Sequence, residues 1–255
     1  MSIGAAKDLA EAIDAELRDR SSAIRAKKEK AYLKSGLDHY GVSVPDTRAV
    51  VRAALRRQRL NHDAVVALAE DLWAAPRASI DSPRIPNEAV PVHERRAAAT
   101  MVLIQAKDYL GAGDLHVIEG FLRQARTWAL VDPLAGDLVG PLSERDTGLD
   151  AVLERWARDE DLWIRRSALL AHLLPLRQGR GDFARFARFA DEMLEEREFF
   201  IRKAIGWVLR DTSRKRPGLV FEWILPRAHR ASGVTIREAI KRMSAEQQEA
   251  VLAAR

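Results

Sequence analysis

The chain lacks cysteine altogether, which excludes disulfides, thiolate metal sites and cysteine nucleophiles and is typical of a reducing compartment. It also lacks any apolar run approaching the about 18 residues that a membrane-spanning helix needs. The first 17 residues carry four acidic side chains and no basic stretch followed by an apolar one, so a signal peptide is not expected. These absences predict a cytoplasmic protein that does not contact a membrane.

Motifs for cofactors are missing as well. No glycine-rich phosphate loop occurs, so a nucleotide cofactor is unsupported. Nothing suggests the nucleophile elbow of a Ser-His-Asp hydrolase. The histidines occur singly, at positions 39, 62, 93, 116, 172 and 229. Because none has another histidine three or four residues away, as helical zinc motifs do, no metal site and no other cofactor is expected.

Charge of neither sign dominates the composition. Lysine and arginine number 42, aspartate and glutamate 37, and the net charge is +5. A basic excess gathered on one surface is typical of a protein that binds a polyanion such as nucleic acid. Because acidic residues are nearly as numerous, charge alone does not decide between a DNA-binding protein and any other globular protein.

Apolar residues recur at helical spacing and the alternating runs typical of strands are missing, so an all-α protein is predicted. Turn residues divide the chain into about a dozen helices, with one longer proline-rich loop at 75–91. Trp128, Trp163 and Trp207 are spaced by 35 and 44 residues, close to the length of a helix pair. We therefore expect one HEAT-like α-solenoid of stacked antiparallel helix pairs over residues 1–255, with a concave basic face. A helical bundle is the alternative.

The stretch EFFIRKAIGWVLRD, residues 198–211, places a tryptophan on the charged side of a helix. The apolar side is formed by Ile201, Ala204, Ile205 and Val208. At about 100° per residue, Trp207 falls instead within a narrow band of cations. These cations are Lys203, Arg210 and Arg214. The tryptophan either packs on a neighbouring helix, as buried tryptophans do, or binds a ligand among the cations.

The stretch RTWALVDPLAGDLVG, residues 126–140, pairs a tryptophan with a carboxylate. Trp128 and Asp132 are one helical turn apart, and Pro133 follows directly. Since proline disfavours helical geometry in the residue before it, Asp132 is predicted at a kink or a helix start. It then either caps the following helix or belongs to a binding site.

The stretch DLWIRRSALLAHLL, residues 161–174, places Arg166 in phase with Leu162 and Leu170. An arginine in an apolar stripe is costly unless an anion meets its charge. Asp132 and a bound phosphate are the two candidate partners. An arginine whose stem is buried while its charged end reaches solvent is the alternative.

These stretches closely resemble AlkD-type DNA alkylation-repair glycosylases. The most specific block is EFFIRKAIGWVLRDTSRKRP, with TWALVD, LWIRRSALL and IREAIKR beside it. Weaker blocks lie upstream, AYLKSGLDHYGVSVPDTRAVV at 31–51 and VHERRAAATMVL at 92–103. The resemblance implies a HEAT-like fold. It also implies excision of cationic alkylated purines, of the 3-methyladenine and 7-methylguanine type, from double-stranded DNA in base excision repair.

The resemblance further implies roles for single residues. The matching positions are Asp132 for the catalytic carboxylate, Trp128 and Trp207 for the aromatic cleft residues, Tyr32 for a third aromatic residue and Arg166 for the cleft arginine. The sequence departs from the family at Ala129 and Leu130, where relatives often have another aromatic residue and a polar one. An insertion at 76–91 leaves the cleft residues untouched but could change how the N-terminal helices meet DNA.

The chemistry agrees with these roles. An alkylated purine that is already cationic departs without the acid that a glycosidic bond normally needs, so one carboxylate suffices to stabilise the sugar cation and orient water. Asp132 fits that role. The indole faces of Trp128 and Trp207 each attract a cationic nucleotide by about 0.5–2 kcal/mol. The cations expected on adjacent phosphates are Lys203, Arg210 and Arg214.

Three functions remain open at this point. The first is a monofunctional DNA-alkylpurine glycosylase that acts as a monomer and is nucleoid-associated when on DNA. The second is a non-catalytic HEAT-like binder of damaged or unusual DNA, and the third is a protein-binding scaffold. The complete set of Trp128, Asp132, Arg166 and Trp207 favours the enzyme over the binder. The cations around Trp207 count against the scaffold.

Overall fold

Helices make up nearly all the regular structure of the chain. The computed structural model describes residues 3–56, 58–76 and 90–255, so most of the expected loop and insertion at 75–91 lies outside the described residues. Within those ranges no strand occurs, and the only strand-like pairing is an isolated parallel bridge between Asp38 and Val92. The predicted all-α class is therefore confirmed.

The described residues cluster into two units, Met1–Gly111 and Ala112–Arg255. The prediction of a single repeat domain over 1–255 stays a prediction. The helices of the first unit are α1 (Ile3–Asp19), α2 (Ala23–Leu33), α3 (Val44–Arg56), α4 (His62–Trp73) and α5 (His93–Gln105), followed by a 3₁₀ turn at Lys107–Tyr109. In α1 the residues Ala6, Ala10, Ile13 and Leu17 are fully buried at helical spacing. This stripe packs α1 against α3 and α4, while α4 also packs against α5.

The second unit holds the remaining helices. They are α6 (Leu115–Ala125), α7 (Trp128–Pro133), α8 (Gly140–Arg145), α9 (Asp150–Trp156), α10 (Leu162–Leu170), α11 (Leu173–Arg177), α12 (Phe183–Glu192), α13 (Phe199–Thr212), α14 (Pro217–Ile224), α15 (Gly233–Ala239) and α16 (Ala245–Ala253). Short 3₁₀ turns lie at Ala112–Asp114, Thr147–Leu149, Leu225–Arg227 and Ile240–Arg242, and a π-helical segment at Leu134–Val139 joins α7 to α8. None of the helices in the described ranges is long and apolar enough to cross a membrane.

Ion pairs in the second unit join residues at a nearly constant separation in the sequence. Pairs 34 to 36 residues apart include Arg123–Asp159, Arg155–Glu119, Arg166–Asp132, Arg177–Asp211, Arg180–Glu144, Arg185–Asp150, Lys203–Glu238 and Arg227–Asp191. The separation is that of a helical repeat of about 35 residues in which each repeat packs on the next. The interval between Trp128 and Trp163 matches this repeat, whereas Trp207 lies out of register with both.

The central helix of the second unit is α13, which packs against α10, α11 and α15. Its residues Ile201, Ala204, Ile205 and Val208 are fully buried, so the predicted apolar side is confirmed. Because α13 contacts three other helices, only part of its surface remains for Lys203, Trp207, Arg210 and Arg214. This arrangement positions the candidate site.

Candidate functional site

Trp128 and Asp132 lie on α7, a short α-helix that continues into a π-helical segment. Thr127 caps it, because its hydroxyl oxygen accepts the backbone N–H of Ala129 at 3.4 Å. Pro133 does not end the helix, since it adopts helical geometry at φ −68° and ψ −36°. The following turns are π-helical, and the N–H of Gly140 reaches the carbonyl of Ala135 five residues back. Asp132 therefore lies inside a helix that continues past Pro133, so the alternatives of a helix start and of a cap at this residue are wrong. The kink alternative stays a prediction, at a point where the helix changes from α to π geometry.

The Asp132 carboxylate forms a bidentate ion pair with Arg166 of α10. Nε of Arg166 lies 2.8 Å from Oδ1 of Asp132, and Nη2 lies 2.8 Å from Oδ2. The side chain of Asp132 is 13% exposed and that of Arg166 only 3%. Burial raises the pKa of Asp132 above its ordinary value, and the Arg166 guanidinium opposes that rise by favouring the carboxylate. The Asp132 carboxylate is therefore fixed and nearly dry, and it keeps a small part of its surface open to solvent next to the positive charge of Arg166.

Arg166 is held from a third direction by α13. Its remaining terminal nitrogen donates to the carbonyl oxygen of Phe200, and its guanidinium carbon lies 5.7 Å from the centre of the Phe200 ring. Of the alternatives left open by the sequence, the structure thus shows the Asp132 partner and not an arginine reaching solvent. Direct contact between Arg166 and DNA stays a prediction. The guanidinium nitrogens of Arg166 already donate to Asp132 and to the carbonyl oxygen of Phe200.

The two tryptophans of the predicted cleft lie on different helices. Trp128 is half-buried at the first residue of α7, one turn before Asp132. Trp207 is half-buried in the middle of α13, and its indole N–H donates to Oδ2 of Asp211 at 3.2 Å. An indole held by its N–H keeps its ring plane fixed, which is the condition for presenting a π face to a ligand.

Two of the predicted phosphate-binding cations, Lys203 and Arg210, bond to a buried glutamate together with Lys241. Glu238 of α15 is 5% exposed and accepts hydrogen bonds from Lys203 at 2.6 Å, from Lys241 at 2.7 Å and from Arg210. Burial acts to raise the pKa of Glu238, but the bonds from Lys203 and Lys241 outweigh it and lower the pKa to about 2. This glutamate therefore stays ionised and fixes the three cations in place.

A second buried acid, Asp211, organises the cations at the end of α13. It is 1% exposed and lies 2.6 Å from Arg177 of α11, 3.4 Å from Arg210 and 3.7 Å from Arg214. Trp207 shares the same carboxylate. The cations around Trp207 thus form a network on two acids, Glu238 and Asp211. The cations of this network outnumber these acids.

Cationic side chains of this network line a cavity of about 390 Å³ that is open to solvent. Its lining consists of Arg210, Arg214, Lys241 and Arg242. A cavity lined by cations alone concentrates positive potential and favours an anion. The size and lining suit phosphate groups of a polyanion.

Comparison with known proteins gives the family. A family model described as DNA alkylation repair enzyme matches residues 13–79 and 89–243, which is most of the chain. The chain belongs to the DNA alkylation repair enzyme family. Its role therefore lies in the repair of alkylated DNA.

A solved structure supports the same fold. A protein described as a predicted DNA alkylation repair enzyme from Enterococcus faecalis superposes with a TM-score of 0.71 and 21% sequence identity. The match covers 89% of this chain and 98% of that chain. At this identity the likeness establishes the helical repeat fold alone. No curated protein matches the chain.

Tyr32, the third aromatic residue that the resemblance implies for this alkylation-repair protein, lies in the first unit. It is part of α2 and is 75% exposed. Its role in DNA binding stays a prediction, as do the roles of Lys203, Arg210 and Arg214.

Besides Arg177 of α11, four residues of the site were missed in the sequence. They are Asp211, Glu238, Lys241 and Arg242. A signal existed for Asp211, which follows Trp207 by one helical turn, and for the two cations, which end the block IREAIKR. Glu238 lies in the same block, but its bond to Lys203, 35 residues away, depends on the packing of α15 on α13 and could not be seen in the sequence.

Proposed function

We propose that this member of the family is a monofunctional DNA glycosylase. It hydrolyses the N-glycosidic bond of cationic alkylated purines, of the 3-methyladenine and 7-methylguanine type, in double-stranded DNA as a step of base excision repair. The observation that carries the proposal is the nearly dry Asp132 carboxylate, which Arg166 holds at both oxygens. No cofactor takes part in the proposed reaction.

The proposed step uses one negative charge. The glycosidic C–N bond breaks with its electron pair passing to the base, which leaves as a neutral purine because it began as a cation. Positive charge then develops on the sugar, and the Asp132 carboxylate stabilises it. A water molecule adds to the anomeric carbon and releases a proton. A fixed charge in a poorly hydrated position stabilises a developing charge more than a mobile charge in water does.

Arg166 prepares the carboxylate for this role. Its two bonds to Asp132 favour the ionised form and fix the plane of the carboxylate, and its bond to Phe200 fixes the arginine. Because a positioned group needs no reorganisation during the reaction, this arrangement favours the transition state over the ground state. In this proposal Arg166 acts as a positioning residue.

The tryptophans and the cations bind the substrate. The half-buried rings of Trp128 and Trp207 contact the cationic nucleotide, with about 0.5–2 kcal/mol for each ring. Phosphate oxygens enter the cavity lined by Arg210 and Arg214, where contacts to the backbone position the protein on DNA.

The proposal is tested with Asp132→Asn. Release of free 7-methylguanine and 3-methyladenine from methylated duplex DNA is measured under single-turnover conditions. Loss of the charge should slow release by about 10²–10³-fold. DNA affinity should hold, since the removed group does not contact phosphate in the proposal. Because buried Arg166 loses its ionic partner, the variant should also be less stable, by up to about 3–5 kcal/mol.

A second variant separates chemistry from folding. Asp132→Asn combined with Arg166→Gln replaces the ion pair by two neutral amides, which should recover stability while release stays slow. The matched control is Asp137→Asn, an exposed position on the next turn, which should keep the normal rate. Normal release by a folded Asp132→Asn protein would refute the catalytic role. Tight binding of methylated DNA without base release by the unaltered chain would support the non-catalytic DNA binder instead.

A further inference from the structure

A second cluster of side chains with ligand chemistry lies in the first unit. It consists of Glu29 on α2, His39 in the segment before α3, and Glu94 in the first turn of α5. One ligand atom of each residue lies within 4.8 Å of the corresponding atoms of the other two. That spacing is short enough for one metal ion to contact all three groups.

The histidines at this cluster leave buried nitrogen atoms without partners. The rings of His39 and His93 stack at 4.7 Å with an angle of 10° between their planes. Both ring nitrogens of His39 and Nδ1 of His93 are buried and have no hydrogen-bond partner among the described residues, and His93 is only 9% exposed. A buried polar atom without a partner costs free energy, so three of them beside two carboxylates indicate a ligand.

The backbone around the cluster is fixed independently of any ligand. The N–H of Asp38 donates to Pro91, and the N–H of His93 donates to Asp38, at 3.0 and 2.8 Å. The Glu94 carboxylate accepts the N–H groups of Tyr40, Gly41 and Val42 at 2.9, 2.6 and 3.2 Å. His39 therefore lies between two anchored points, and the carboxylate oxygens of Glu94 retain lone pairs for a cation.

Helix α2 is the weakly attached member of the cluster. None of its residues is buried, and Glu29 shares its carboxylate with Arg25 at 2.7 Å on the same helix. An ion that contacts Glu29, His39 and Glu94 would tie α2 to the segment before α3 and to α5. Because such a link has no counterpart in the unfolded chain, binding would stabilise the first unit.

We propose that Glu29, His39 and Glu94 bind one divalent transition-metal ion, with zinc as the best match. An imidazole nitrogen with two carboxylates is a donor set for zinc and similar first-row ions, whereas Mg²⁺ and Ca²⁺ prefer oxygen ligands throughout. Three protein ligands leave the fourth position of a tetrahedral ion to solvent. His93 holds the ring of His39 by stacking. This site lies outside the residues assigned to base excision and does not depend on that proposal.

The test uses the full chain, stripped with a chelator and then titrated with Zn²⁺ by calorimetry, with metal content measured by mass spectrometry. We expect one high-affinity Zn²⁺ per chain and a melting temperature that rises with Zn²⁺ but not with the same concentration of Mg²⁺. His39→Phe keeps the stacked ring and removes both nitrogens. Glu29→Gln changes a half-buried carboxylate whose ion pair is with Arg25 on the same helix. Each should weaken Zn²⁺ binding by at least about tenfold.

The control is His62→Phe, which removes an exposed histidine of α4 that lies 2.9 Å from Asp63. It should bind Zn²⁺ as the unaltered chain does. Absence of stoichiometric binding would overturn the proposal. Equal affinity in the unaltered chain, His39→Phe and Glu29→Gln would also overturn it, since zinc would then bind elsewhere. If His39→Phe fails to fold, Glu29→Gln alone decides between these outcomes.

Discussion

At the scale of single residues, the sequence singled out Trp128, Asp132, Arg166 and Trp207 but not the bonds between them or the acids that hold the cations. The position of Arg166 among leucines indicated either an anionic partner, with Asp132 and a phosphate as candidates, or a buried stem with the charged end in solvent. Nothing in the sequence could choose between them, because the two residues are 34 positions apart and meet only when α10 packs on α7. The same limit hid Glu238 from a search based on spacing along one helix.

The bidentate geometry predicts that Arg166→Lys will impair catalysis more than binding. Lysine keeps the charge but offers a single ammonium, so it cannot hold both carboxylate oxygens of Asp132. A misplaced carboxylate should slow base release by about 10²-fold, while affinity for methylated DNA changes little. Single-turnover release and DNA binding measured on the same preparation check this. A parallel loss of rate and affinity would instead make Arg166 a direct DNA contact.

Buried His172 predicts a pH dependence of stability in the second unit. It is 4% exposed, and its ring lies 5.7 Å from the ring of Phe189. Burial lowers the pKa of His172 to about 4 from 6.5, with a further contribution from Arg185. Between these values the unfolded chain binds more protons than the folded one, so stability falls as pH decreases from 6.5 towards 4. The loss at pH 5 is about 2 kcal/mol relative to pH 8.

Urea unfolding of the unaltered chain and of His172→Leu at both pH values checks this prediction. Leucine cannot be protonated, so the variant should lose less stability at pH 5, whatever its packing costs at pH 8. His116→Leu, at an exposed position, should keep the dependence of the unaltered chain. An identical pH dependence in His172→Leu would mean that the histidine is protonated in the folded state.

At the scale of helices, the sequence predicted about a dozen segments, whereas the described residues form sixteen α-helices, and it left the geometry at Pro133 open. Pro133 indicates a break, yet α7 continues into the π-helical segment Leu134–Val139. A wider helical turn tolerates the missing N–H of proline, and the N–H of Leu134 still reaches the carbonyls of Leu130 and Val131. Irregular turns of this kind leave no periodic signal, so they are the part of the fold that sequence patterns miss.

The contact between α13 and α15 predicts a strong effect of one methyl group. A Cβ added at Gly206 would lie 2.6 Å from Cβ of Glu238 and 2.9 Å from the carbonyl oxygen of Thr235. Because a backbone atom is among these neighbours, the helices must separate, and Gly206→Ala should cost about 1–3 kcal/mol. Displacement of Glu238 should also weaken DNA binding, since this glutamate holds Lys203 and Arg210.

Gly120→Ala is the matched control for that substitution. Gly120 lies in the interior of α6, and an added Cβ would meet nothing within 4 Å. The same change should therefore stabilise the chain by about 0.5–1 kcal/mol. Thermal unfolding and DNA binding of both variants are compared. Equal stability of the two alanine variants would contradict the close approach of α13 and α15.

At the scale of the whole molecule, composition and periodicity predicted the all-α class and the repeat. The tryptophan spacing gave the repeat length correctly between Trp128 and Trp163 and wrongly between Trp163 and Trp207. Ion pairs separated by about 35 residues carry the repeat more clearly, but they are visible only once the helices are packed. The net charge of +5 could not locate a binding surface, because many cations are paired with acids one repeat away.

The cavity lined by Arg210, Arg214, Lys241 and Arg242 predicts which of the many cations of the molecule bind DNA. Lys241→Ala with Arg242→Ala should weaken binding to duplexes of any sequence and flatten the dependence of log K on log salt concentration. The expected change is about one unit for each lost phosphate contact. Glu238 keeps its bonds to Lys203 and Arg210 in this variant, so folding should be preserved.

The control removes the same charge from exposed Arg158 and Arg188, which pair with Glu154. It should leave the salt slope unchanged. If both double variants flatten the slope equally, DNA binding reflects net charge, and the cavity has no specific part in it.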